Sequence, residues 1–103
     1  MDKINILVVA NHSEILATIL RLINKNEEWN GVGAGSPEEA INACKKDKFK
    51  LVLLGVGITE EAESEIVPIL KSSNPALICI RHFGGGSGLL YSEIQHALST
   101  SKV

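Results

Sequence analysis

Short runs of apolar, mostly β-branched residues alternate along this chain with longer stretches in which apolar positions recur every three or four residues. The first run, Ile4 to Ala10, is almost continuously apolar, the pattern of a strand covered on both faces. From Glu14 the spacing turns helical: Ile15, Leu16, Ile19, Leu20, Leu22 and Ile23 make one wide stripe, with Thr18, Arg21 and Lys25 lying off it. Between the two, Asn11-His12-Ser13 offers Asn11 or Ser13 as the N-cap of that helix. Trp29 to Ala34 alternates only loosely, and its glycines lower strand propensity, so a short edge strand is expected there. Ser36-Pro37-Glu38-Glu39 then marks a helix start: a capping serine, a proline at the first helical position and a glutamate three residues after the cap. Ala40, Ile41, Ala43 and Cys44 form the inner face of this helix, and Lys45, Lys46 and Lys48 sit favourably at its negative end.

A third apolar run extends from Lys50 to Ile58. Thr59 caps a further helix reaching about Ser72, with Ala62, Ile66, Ile69 and Leu70 inward and Glu60, Glu61, Glu63 and Glu65 outward. Pro68 falls inside it, where a proline removes a backbone hydrogen bond, so the helix is expected to be kinked, late-starting or split. Ala76 to Ile80 reads as a fourth strand, Gly84 to Gly88 as a connection, and Leu89 to Ser99 as a last helix with Leu90, Ile94, Ala97 and Leu98 inward. Strands alternating with helices predict an α/β fold: a parallel sheet of about four strands, covered on both faces as a three-layer sandwich, with right-handed crossovers.

Composition narrows the picture without enlarging it. The chain has 103 residues, 45% hydrophobic and 21% charged, the balance of a single folded domain spanning residues 1–103. A net charge of −2 spread over interspersed Lys and Glu disfavours nucleic-acid binding. No apolar run has the length that spans a bilayer, and Met1-Asp2-Lys3 leads into a strand instead of a signal core, so no membrane partner and a cytoplasmic location are expected. Cys44 and Cys79 lack the spacing of a metal or redox motif and read as buried free thiols.

Several segments together resemble the response-regulator receiver domain. Ile6-Leu7-Val8-Val9-Ala10-Asn11-His12 is similar to the family's opening "ILVVDDH", which places Ala10 and Asn11 at its two acidic, Mg²⁺-holding positions. Lys50-Leu51-Val52-Leu53-Leu54-Gly55-Val56-Gly57-Ile58 resembles "DLVLLDVGM", which places Gly55 at the phospho-acceptor aspartate. Pro75-Ala76-Leu77-Ile78-Cys79-Ile80 resembles "PVIVLT", which places Ile80 at the switch Thr or Ser. No Lys-Pro pair follows. The resemblance implies the strand order 2-1-3-4, with one helix-strand unit of the usual five missing; the fourth helix and fifth strand are the candidates. An alternative alignment takes Arg81-His82-Phe83 as the end of the fifth strand.

Alanine and glycine offer no metal ligand or nucleophile and asparagine a neutral carbonyl at most. The resemblance therefore implies a degenerate receiver in two-component signalling: not an enzyme, without cofactor, acting on a protein partner such as a histidine kinase or response regulator. Asn11, His12, Glu14, Gly55, Arg81 and His82 are the expected interaction edge, and homodimerisation through the fourth strand is expected from its unpaired side. A second reading is a small-molecule or nucleotide-binding module of flavodoxin-like shape, its anion loop being Gly84, Gly85, Gly86, Ser87 and Gly88 ahead of a helix. A third, catalysis by His12 or His82, lacks a nucleophile and base at diagnostic spacing. His12 and His82 read as loop histidines and the glutamates after Thr59 as a solvated helix face, so no metal site is expected.

Overall fold

The computed structural model describes residues 4–55, 58–75, 77–81, 92 and 94–98. In chain order they form β1 (Ile4–Val9), α1 (Ser13–Asn24), β2 (Trp29–Ala34), α2 (Pro37–Lys46), β3 (Leu51–Leu54), α3 (Glu60–Ser73) and β4 (Ile78–Arg81). Residues 92 and 94–98 are helical again. The four strands are all parallel and lie in the order β2-β1-β3-β4.

The strand alternation divides the core in two. Ile6, Val8, Leu51 and Leu53 point to one face, where Ile19 and Ile23 of α1 cover them together with Trp29, Ile94, Ala97 and Leu98. Leu7, Val9, Val52 and Leu54 point to the other face, under Ala40 of α2 and Ile66 and Leu70 of α3. The two central strands bury every side chain from Ile6 to Val9 and from Leu51 to Leu54. A strand buried on both sides must be apolar throughout, which is why these runs carry no alternation. The architecture is the three-layer α/β sandwich that the alternation of strands and helices predicts.

Local chemistry explains most boundaries. Ser36 Oγ accepts from the Glu39 amide at 3.3 Å, and the Glu39 carboxylate reaches back to accept from the Gly35 amide at 2.8 Å. Two amides at the start of α2 are thereby satisfied, as in a capping box. Thr59 Oγ1 caps α3 by accepting from the Ala62 amide at 3.1 Å. Asn74 closes the far end, its side-chain amide donating to the Phe49 carbonyl at 3.0 Å.

Several expectations need correction. β3 stops at Leu54 instead of running to Ile58, because the chain turns at Gly55, whose carbonyl accepts from the Ile58 amide at 3.4 Å. β4 occupies Ile78–Arg81, shifted along from Ala76–Ile80. α3 neither splits nor starts late: it is one helix of 14 residues with Pro68 inside. Pro68 is exposed, and so is Ser64, the residue whose carbonyl loses its usual helical donor. Ile69 is 46% exposed, not inward. The cysteines are free, as expected, but only half-buried.

Candidate interaction site at the carboxyl edge

The site that the sequence singles out lies where β1 and β3 end side by side. Parallel pairing of Val9 with Leu54 brings the next residues, Ala10 and Gly55, to the same height, and both are buried. The Gly55 amide donates to the Val9 carbonyl at 2.7 Å, and the Ala10 amide donates to the Ala34 carbonyl at 3.1 Å. A side chain at position 55 has little room: a Cβ there would stand 3.3 Å from the Ala10 Cβ and 3.3 Å from the Val9 carbonyl oxygen. The floor of the edge is thus two small residues in close contact, with no side-chain oxygen.

Next along the chain from Ala10 come Asn11, His12, Ser13 and Glu14, all exposed, lining an open depression of about 390 Å³. The N-cap of α1 is His12, where Asn11 or Ser13 was expected: its Nδ1 accepts from the Ile15 amide at 3.4 Å. Histidine is outside the usual capping set, so no residue-type rule points to it. Thr18 Oγ1 donates to the Glu14 carbonyl at 3.0 Å and supports the same turn.

The other sequence-derived positions separate. Ile80 pairs with Leu53 and packs against the core under α1, away from the depression. Arg81 pairs with Leu54 at the end of β4, which brings its backbone to the carboxyl edge. This strand lies directly beside β3. His82 and the loop Gly84 to Gly88 lie outside the described residues. Glu60 and Glu61 are exposed in the first turn of α3, and Glu63 is half-buried.

The edge does not fit the Mg²⁺ of a working receiver site. Ala10 and Gly55 provide no side-chain donor, Asn11 is a single neutral and exposed one, and among the described residues no group of three His, Cys, Asp or Glu side chains converges on a point. Burial raises the Cys44 thiol above its ordinary pKa. It raises Cys79 as well, where nearby Lys71 pulls down and Cys44 and Glu63 push up. Among the described residues, the chemistry at this edge is hydrogen bonding from the exposed side chains of Asn11, His12, Ser13 and Glu14. Sequence reasoning missed one further surface, a groove between α2 and α3 that Ile69 lines; the spacing of Ile69 from Ala62 and Ile66 could have flagged it.

A doubly covered parallel sheet with its polar side chains gathered at the carboxyl ends is the ligand-facing arrangement of open α/β domains. Comparison with solved structures makes the class specific: this is the receiver-domain fold. A CheY-like response regulator receiver domain from Methanospirillum hungatei superposes with a TM-score of 0.82 at 14% identity, covering 98% of each chain. A response regulator receiver domain from Clostridium thermocellum gives 0.76 at 16% identity, over 96% of this chain and 97% of that one. The non-phosphorylated receiver domain of the stress response regulator RcsB from Escherichia coli gives 0.61 at 16% identity, over 93% and 76%. No family model matches the sequence, and no curated protein matches it. Among the described residues, no helix is long and apolar enough to cross a membrane.

Proposed function

We propose that this domain is a degenerate receiver that works in two-component signal transduction by binding another protein, a histidine kinase or a response regulator, without aspartyl phosphorylation and without a catalytic step. The observation that carries the reading is Gly55 packed beside Ala10 at the ends of the two central strands. Neither position carries the side chain on which phosphoryl transfer would depend, while the central strands β1 and β3 keep a fully buried core. The chain has two aspartates, Asp2 and Asp47. Asp47 is the exposed C-cap of α2, which precedes β3, so it belongs to the opposite end of the sheet from Gly55.

In this reading Asn11, His12 and Glu14 form the contact surface, with the backbone at Arg81 extending it. β4 is the outermost strand of the described sheet and pairs with β3 alone, which supports a homodimer formed through it. The test is crosslinked capture of partners by wild-type protein and by an Asn11→Ala, Glu14→Lys double variant. Recovery of a histidine kinase or response regulator by wild type only is the expected result. Equal recovery by both proteins, or recovery of neither class, removes the reading.

A further inference from the structure

Between α2 and α3 runs a groove of about 490 Å³ that the carboxyl edge does not use. Its apolar lining includes Ile41 from α2 and Ala62, Ile66 and Ile69 from α3. Ile69 is the one large hydrophobic side chain that stands exposed among the described residues. Each wall adds an exposed carboxylate, Glu38 on α2 and Glu65 on α3. No lysine or arginine is among the described residues that line it. An apolar trough with an acidic residue on either side is complementary to a helix that carries one apolar stripe and cationic flanks.

We infer that this groove binds a basic amphipathic helix of a partner protein, with apolar residues at i and i+3 or i+4 seated on Ile41 and Ile69, over a floor to which buried Ile66 contributes, and with Lys or Arg directed to Glu38 and Glu65. A second copy of this chain is a poor occupant, because a two-fold contact through this face sets the same glutamates against each other. The inference deepens the reading of the domain as a protein-binding module and rests on it. It adds the location and chemistry of a second contact.

The probe is a helical peptide of about 18 residues, long enough to hold its fold, built from Leu at helical i, i+3, i+4 spacing and Lys elsewhere. A matched peptide carries Glu in place of Lys. Each is titrated into ¹⁵N-labelled full-length protein, with amide shifts giving the location and calorimetry the affinity. The Lys peptide is expected to shift amides of α2 and α3, chiefly around Ile41, Ile66 and Ile69. Ile69→Ser is expected to weaken it about tenfold, the effect of truncating one aliphatic anchor. Glu38→Lys with Glu65→Lys is expected to transfer preference to the Glu peptide. These positions are exposed, and a melting curve of each variant serves as the check on folding. No binding of the Lys peptide, shifts centred on Asn11 to Glu14, or an affinity indifferent to Ile69→Ser overturns the inference. A kinase or regulator captured through the carboxyl edge and unaffected by these groove substitutions removes the groove and leaves the proposed function standing. Groove binding in a domain that captures neither class has the reverse meaning.

Discussion

The Gly55 amide donates to the Val9 carbonyl at 2.7 Å, so the two central strands close on each other one residue beyond the last pair of their ladder. A methyl group added at Gly55 would meet that carbonyl and the Ala10 Cβ, each at 3.3 Å. Contacts this tight require the neighbours to move, and small-to-large changes in a packed core are destabilising. Gly55→Ala is therefore expected to lower stability by about 1 kcal/mol after allowing for its effect on the unfolded chain. Ala10→Gly in the same protein should recover part of the loss, giving a measurable coupling in a double-mutant cycle of urea midpoints. Additive effects would mean that the two positions do not press on each other.

α1 begins on a weak cap. The His12 Nδ1 to Ile15 amide distance is 3.4 Å, long for a hydrogen bond, and carboxylates are better acceptors at a helix start. His12→Asp should raise stability by about 1 kcal/mol in urea titrations. A loss of stability would show that the imidazole has another role at this edge.

Pro68 sits inside α3 with both it and Ser64 exposed. Proline in a helix interior is about 3 kcal/mol worse than alanine, partly offset because it also stiffens the unfolded chain. Pro68→Ala should gain about 1 to 2 kcal/mol and raise the melting temperature by several degrees. An unchanged or lower melting temperature would mean that Pro68 is held there by a contact worth as much as the missing hydrogen bond.

Both thiols are raised by burial, which fixes the sign of one pH dependence. The unfolded chain releases its thiol protons at about pH 8 to 9, while the folded chain still holds them. In that window the folded state binds more protons, so stability falls as pH rises. The contribution is complete below about pH 8 and fades above it. Cys44→Ala, Cys79→Ala protein should show a flatter decline in urea midpoint between pH 8 and pH 10; an identical decline would assign the slope to other groups.

The sequence was most informative where one residue type satisfies one backbone need. The alternation of strand and helix, the Ser36-Pro37-Glu39 start of α2 and the Thr59 cap all follow from periodicity and capping chemistry. It misled where the same letters serve two structures. Gly55-Val56-Gly57-Ile58 continues the apolar run of β3 without a break, yet the chain turns at Gly55. Ile69 completes an apolar face with Ala62 and Ile66, but only the contact between helices decides whether that face is covered. The glycines of β2 looked like weak strand formers; Gly33 instead lets α1 come close, since a Cβ there would meet the Leu20 side chain at 2.7 Å. At the candidate site the identities of Ala10, Asn11 and Gly55 were legible, whereas the capping role of His12 depends on a local geometry that no spacing rule encodes.

The proposed function requires that the carboxyl edge accept no phosphoryl group. The most direct measurement is the intact mass of the full-length protein after incubation with acetyl phosphate and Mg²⁺, with hydroxylamine sensitivity as the signature of an acyl phosphate. No such adduct is expected. A stoichiometric, hydroxylamine-sensitive phosphoryl group would contradict the proposed function and restore this domain to the phosphorylated receivers.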